Sequence, residues 1–324
     1  MDITLHIGAH RTATTTFQTY LQDNTDHLAR NGIAWWGPKR TRNGLLSGIV
    51  PLPGLLPPER QFARAAGRIG LHLDRAAQQG MRQLIVTEEN MLGAPRANLR
   101  AGTLYPHAGM RIGRYLAAFG GRTGRIALSI RSPDYYWASC MAFALARGHG
   151  VPGPEQLARL VAADRSWRDV ISDIACAAPG VPILVMTHEA HGAQPEQRLW
   201  HMTGGSLLAP MTHARNWLNR APDLARLRGI LRDRGRDPQA LPAGEGRWMP
   251  FDAGQQARMR ESYMDDLFWL RAGADGMAVL AEDDADGQWS DAWTGTGAAA
   301  AQLPPGELRR GQDGIEKGRM VGNR

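Results

Sequence analysis

The chain has 324 residues, is 43% hydrophobic and carries a formal net charge of +7 at neutral pH, with arginine far outnumbering lysine. Two cysteines, Cys140 and Cys176, exclude a disulfide framework and predict buried thiols in a reducing cytoplasm. No apolar run reaches the ~18–20 residues of a membrane span, no secretory h-region follows Met1, and the arginines are scattered without interleaved aromatics, which argues against a nucleic-acid groove and for a basic surface suited to phosphorylated or sulfated partners.

Strand patterns alternate with helix patterns, which predicts an α/β fold: three layers, α/β/α, around a mostly parallel central sheet. The first strand is expected over residues 3–8, where Ile3, Leu5 and Ile7 alternate. A helix follows, with Phe17, Leu21 and Leu28 on one stripe, ending near Asn31-Gly32. Residues 33–36 read as a short strand and 37–58, rich in Gly, Pro and Arg, as a long loop of the functional kind. A helix is expected over 59–79, a buried strand in "RQLIVTEEN", and a helix around 110–119. Ile126, Leu128 and Ile130 alternate in the next strand, which runs into a helix with Ser132 as cap, Pro133 at its first position and Asp134 at its positive end. "VPILVMTHE" is a further short strand. The clearest late helix follows Asp252 and Gln255, a capping-box pair, with Met259, Tyr263, Leu267 and Leu270 on one face. Residues 1–282 read as one domain and 283–324, acidic, then Gly/Ala/Pro-rich, then basic, as a disordered tail.

The stretch from His6 to Leu21, "HIGAHRTATTTFQTYL", is a strand, a polar turn and a helix start. Such a unit offers free backbone N–H groups and the positive end of a helix dipole, a combination that binds phosphate. Thr12, Thr14, Thr15 and Thr16 add hydroxyls, and Arg11 adds a fixed charge. Against the nucleoside-triphosphate loop G-x-x-x-x-G-K-[ST], Gly8 matches, but Ala13 replaces the second glycine and Thr14 stands in place of the lysine. The missing lysine weighs against an ATPase or kinase of that type.

The run His10-Arg11-Thr12-Ala13-Thr14-Thr15 resembles the 5′-phosphosulfate loop of the sulfotransferases, usually P-K-[ST]-G-T-T, with three departures. Alanine stands where the motif has a glycine free to take a positive φ, arginine replaces lysine, and histidine replaces proline. A second resemblance is Arg131-Ser132-Pro133 followed by Ser139, similar to the arginine and serine with which that family holds a 3′-phosphate. The late helix "FDAGQQARMRESYMDDLFWL" is similar to that of bacterial members, so the resemblance spans about residues 1–275. It implies a sulfotransferase fold related to the P-loop NTPases. It also implies 3′-phosphoadenosine 5′-phosphosulfate as donor, adenosine 3′,5′-bisphosphate as product and no metal. Arg11, Thr12, Ala13, Thr14, Thr15 and Thr16 would then hold the 5′ end, and Arg131 with Ser139 the 3′-phosphate, in two separate pockets.

Sulfuryl transfer needs a base, and "LIVTEEN" puts Glu88 and Glu89 at a strand's C-terminal end. The family pattern of an acidic residue before asparagine favours Glu89, which precedes Asn90. Alternation lets one of the two glutamates face the crevice, and a carboxyl pKa raised by burial would suit the role. Glu88 and His10 stay open as alternatives. A nucleotide-binding module without catalysis, or a kinase or NTPase with a degenerate loop, are the competing classes. His188 and His191 lack a third partner for zinc. Trp35, Trp36 and the basic residues of 35–58 hint at a large or anionic acceptor, such as a carbohydrate or a lipid headgroup.

Overall fold

The computed structural model describes residues 1–282, apart from 55, 217, 219 and 220. The expectation for 283–324 therefore lies outside the described residues. Six strands form one sheet: β1 (Asp2–His6), β2 (Ile33–Trp36), β3 (Gln83–Thr87), β4 (Arg125–Ile130), β5 (Ile183–Thr187) and β6 (Val279–Leu280). Their order is β2-β3-β1-β4-β5-β6, and every neighbouring pair is parallel. The fold is α/β with a parallel sheet, as the alternation of patterns predicts.

Parallel strands covered on both faces must be apolar on both faces, and β4 is buried at all six positions. Alternate residues feed two cores. Leu84, Val86, Ile126, Leu128, Ile183 and Val185 join the larger one, packed by the helices Pro58–Gln78, Ala108–Ala118, Pro133–Leu145, Trp167–Ala177 and Ala253–Arg271. Ile85, Ala127, Leu184 and Met186 join the other, with Phe17, Tyr20, Leu21, Leu28, Leu199 and Met202.

The connections leaving β1 and β3 thus cover opposite faces of the sheet, although the two strands are neighbours. The crevice at their C-terminal ends is a topological switch point, the usual ligand position in such sheets.

Several local expectations change. The helix after the polar turn breaks at Asn24 into Thr14–Asp23 and Thr25–Arg30, because the Asn24 amide donates to Tyr20 O (2.9 Å) and Thr212 O (3.1 Å). Ser132 does not cap its helix through its side chain: its hydroxyl donates to Asp134 Oδ1 at 2.6 Å, while Asp134 Oδ2 takes Arg260 Nε at 2.7 Å. Cys140 is buried but Cys176 is exposed, off the stripe of Trp167, Val170, Ile171 and Ile174 that its helix buries. The segment expected as loop after β2 contains a short helix, Pro38–Arg40, and a kinked turn, Thr41–Leu45. The Asp252–Gln255 capping box forms in both directions, and Met259, Tyr263, Leu267 and Leu270 are buried.

Candidate active site

Gly8 (φ 55°), Arg11 (φ 66°) and Ala13 (φ 64°) all adopt the left-handed backbone after β1. For the two non-glycine residues this costs about 1–2 kcal/mol each. Ala13 therefore takes the conformation that the glycine of the sulfotransferase motif supplies, despite its Cβ. Strain of this kind persists only where surroundings over-determine it, and here they do. Thr12 Oγ1 donates to Ala9 O at 2.7 Å, Arg131 Nη1 to Arg11 O at 2.8 Å, and Arg198 Nη2 to Thr12 O at 2.6 Å. Ala13 then starts the helix Thr14–Asp23, which has no side-chain cap. Gly8 is required by proximity too: a Cβ there would stand 3.0 Å from Thr14 Oγ1 and 3.3 Å from Glu89 Cβ.

His10 is 8% exposed and held by a wire of hydrogen bonds. Its backbone N–H donates to the Tyr105 hydroxyl (2.9 Å), which lies 3.0 Å from Nδ1, and Nε2 lies 3.2 Å from Asn90 Oδ1. The network closes if Tyr105 donates to Nδ1 and Nε2–H donates to Asn90, which is the neutral ring. Burial pushes the imidazole below its ordinary pKa, although Glu89, Asn90 and Glu88 oppose the shift. Both ring nitrogens are engaged, so His10 acts as a wall of the cleft.

Glu88 and Glu89 divide their work. Glu88 is 3% exposed and accepts from Thr41 Oγ1 (2.6 Å), from Arg42 and from Asn90 N (3.2 Å), so it anchors the segment after β2. Glu89 lines the cleft with the threonine turn, and accepts from Gln18 Nε2 (3.0 Å) and Arg42 Nη2 (2.8 Å). Burial pushes its carboxyl pKa up. A hydrogen bond from its own backbone N–H, then the neighbouring His10 ring and the charge of Arg42, outweigh burial and hold it below the ordinary value. A raised pKa is the expectation for a base here; the backbone N–H, the His10 ring and Arg42 together reverse it.

The cleft has a volume of about 1050 Å³. Among the described residues, five arginines line it (Arg11, Arg131, Arg147, Arg226 and Arg247) against two carboxylates, Glu89 and Asp223. Asp223 is already committed to the N–H of Arg226 at 2.8 Å. Arg131 leaves the end of β4, is 7% exposed, and makes no ion pair with any described residue. Its Nε is buried without a hydrogen bond. Burial, and then the charge of Arg247, push its guanidinium down to about 10. Ser139 accepts from Arg11 Nε at 2.9 Å, so the two anion pockets expected from the sequence are parts of one continuous cleft. Thr12 and Thr16 are buried behind the loop, Thr16 bonding the backbone of Leu218, while Thr14 and Thr15 line the cleft.

Sequence reasoning missed Gln18, Arg42, Arg198 and Arg247. Gln18 lies four residues after Thr14, on the same helix face, and that spacing was a usable signal. The others come from distant segments with no local signature. Among the described residues no group of three His, Cys, Asp or Glu is placed to hold a metal ion, and no helix is long and apolar enough to cross a membrane. Comparison with family models, with curated proteins and with solved structures gives no match.

Proposed function

We propose that the protein is a sulfotransferase, moving the sulfuryl group of 3′-phosphoadenosine 5′-phosphosulfate to a hydroxyl or amine of an acceptor, on a sulfotransferase version of the α/β fold. Arg131 is the observation that carries the reading. It is a buried guanidinium that forms no ion pair with a described residue, bonded to the carbonyl of Arg11 in the threonine turn and with no hydrogen bond at Nε among the described residues. A buried charge that Glu189 offsets only from beyond ion-pair distance is costly, and an anion in the cleft reduces that cost. A second anion belongs at the turn, so the ligand chemistry that fits is a nucleoside phosphorylated at both ends. The cleft volume lies at the upper end of the ~300–1,000 Å³ usual for ligand pockets.

Under this reading Thr14, Thr15 and the N–H groups of the helix start hold the 5′-phosphate. Arg131 and Ser139 hold the 3′-phosphate, with the planar guanidinium fork matching its oxygens. Arg11 donates to the bridging oxygen as charge grows there, a contact of the kind worth about 3 kcal/mol in a transition state. In the transfer an acceptor oxygen bonds to sulfur and the bridging S–O bond breaks. The electron pair stays on the 5′-phosphate, and Glu89 takes the acceptor proton. Arg42 keeps Glu89 ionised and able to accept, while limiting its basicity; loosening that contact on acceptor binding strengthens the base.

Calorimetric titration tests the reading. Adenosine 3′,5′-bisphosphate should bind well and ATP with Mg²⁺ poorly. Binding of ATP without the bisphosphate would overturn it in favour of a kinase or NTPase with a degenerate loop. A screen of acceptor classes with labelled sulfate then distinguishes an enzyme from a nucleotide-binding module.

A further inference from the structure

A second cleft, of about 1330 Å³, opens at the C-terminal end of β2. Lys39, Arg40, Arg64 and Arg68 line it, and no Asp or Glu lines it among the described residues. None of the four cations forms an ion pair with a described residue. The rest of the wall includes apolar surface, notably Trp35, whose indole N–H is taken by Thr25 Oγ1 at 3.0 Å, and Leu52, which is 66% exposed. Like charges gathered in a concavity repel one another and concentrate anions from solution. Burial, and then the charges of Arg40 and Arg75, push the neighbouring His72 imidazole below its ordinary pKa.

The cleft is a built feature. Gly48 (φ +91°) presses on the helix Pro58–Gln78 so closely that a Cβ would meet Gln61 O at 2.7 Å. The Gln61 side chain accepts from Leu52 N (3.1 Å) and donates to Leu52 O (2.8 Å), and Arg114 Nε donates to Ile49 O at 2.6 Å. These contacts fix residues 48–52 of the lining against that helix and Arg114.

Its position relative to Glu89 follows from strand order. β3 lies between β2 and β1, and neighbouring strands are about 4.8 Å apart. Glu89, just past β3, therefore stands between the cleft at β2 and the threonine turn after β1. Two further contacts join the clefts. Gln18 bonds Glu89, and Gln22, one helical turn further on (about 6 Å), lines the second cleft. Arg42 bonds both glutamates, while Arg40 and Asn43 on either side of it line the second cleft.

We infer that this second cleft admits the acceptor, and that the acceptor is a soluble anionic amphiphile: a carboxylate, phosphate or sulfate joined to an apolar body that also carries the hydroxyl or amine to be sulfated. The acceptor role rests on the sulfotransferase reading; the ligand chemistry does not. The cations take the anionic group, Trp35 and Leu52 take the apolar body, and the nucleophile reaches Glu89 from the β2 side.

The test uses the full chain and three probes, each titrated with and without saturating adenosine 3′,5′-bisphosphate. Decyl phosphate, kept below its micelle concentration, carries anion and chain; inorganic phosphate carries only the anion; decyltrimethylammonium carries the chain with the opposite charge. Decyl phosphate should bind one to one beside the bisphosphate, at least tenfold tighter than either of the others. The double variant Arg40→Gln/Arg64→Gln, and separately Leu52→Asp, should each weaken it at least tenfold and leave bisphosphate affinity within twofold. Equal binding of decyltrimethylammonium, or unchanged decyl phosphate affinity in both variants, overturns the inference. Bisphosphate binding without decyl phosphate binding sinks the acceptor cleft alone. Decyl phosphate binding that depends on Arg40 and Arg64, with no bisphosphate binding, sinks the donor reading and leaves the cleft as a site for anionic amphiphiles.

Discussion

Arg42 Nη2 lies 2.8 Å from Glu88 Oε1 and 2.8 Å from Glu89 Oε1, so one guanidinium from the segment after β2 clamps two consecutive carboxylates after β3. Glu88 is still extended (φ −157°) and Glu89 begins a tight turn, which lets neighbouring side chains share one partner while only Glu89 lines the first cleft. The clamp ties the proposed base to the loop that walls the second cleft, and its removal has a defined sign.

Replacing Arg42 by glutamine should raise the Glu89 pKa, because a nearby cation that favours the carboxylate is lost while burial remains. Arg42 is half exposed, so solvent screens its charge and moderates the rise. Carbon-13 NMR of the glutamate carboxyls, titrated from pH 3 to 8, reads this without an acceptor. Lysine at the same position should restore part of the shift. An unmoved Glu89 titration in the glutamine variant would show that Arg42 does not set its charge.

Glu89→Gln should leave adenosine 3′,5′-bisphosphate affinity within about threefold, since the amide keeps the side-chain shape. Transfer to an acceptor should fall by about 10²–10⁴, the usual worth of a positioned base. Retained transfer would remove Glu89 from that role.

Arg131→Ala should weaken the bisphosphate by on the order of 100-fold, corresponding to about 3 kcal/mol for a charge-assisted contact. AMP, which lacks the 3′-phosphate, should lose less than about threefold. Equal losses for the two nucleotides would mean that Arg131 supports the turn through Arg11 O and does not read the 3′ end.

Ala13→Gly should raise stability by about 0.5–1 kcal/mol. The left-handed penalty of about 1–2 kcal/mol disappears, and the freer unfolded chain takes back about 0.4–1 kcal/mol. Ala13→Val, stiffer at its Cβ, should cost at least ~1 kcal/mol at the same φ of 64°. Urea midpoints measure both changes, and a glycine variant less stable than the parent would contradict the strain argument.

His6 is fully buried beside Thr87 Oγ1 (2.9 Å), and burial, then the charge of Arg198, push its pKa down to about 3. The unfolded state therefore binds the extra proton between pH 6.5 and about 3. Stability from this group is complete above pH 6.5 and is lost as pH falls through that window, by about 2 kcal/mol at pH 5. His188, also lowered to about 3, should act in the same direction. Unfolding free energies from pH 7 to 4.5 should show a shallower slope in His6→Gln than in the parent; identical slopes would mean that His6 does not titrate on unfolding.

Much of this protein is legible in order along the chain. Alternation of Ile126, Leu128 and Ile130, the helical stripe from Met259 to Leu270, the Asp252–Gln255 box and the threonine turn are all set by neighbours within a few residues, and period and capping chemistry are local. The break at Asn24 was hidden because its partner Thr212 lies far along the sequence, and the turn of the Ser132 hydroxyl to Asp134 because Asp134 is held by the equally distant Arg260. The same holds for the site. Arg11, Arg131 and Glu89 announce themselves by type and by position at strand ends, and Ser139 by its place on the helix after β4. That they share one cleft with Arg147 and Arg247, that Arg198 bonds the turn at Thr12 O, and that Arg42 bonds Glu89 were decided by strand order and helix packing alone. A charge acts through a few ångströms of space whatever its distance along the chain, so the electrostatics of the site come from the folded arrangement, while the elements that bear it come from local sequence.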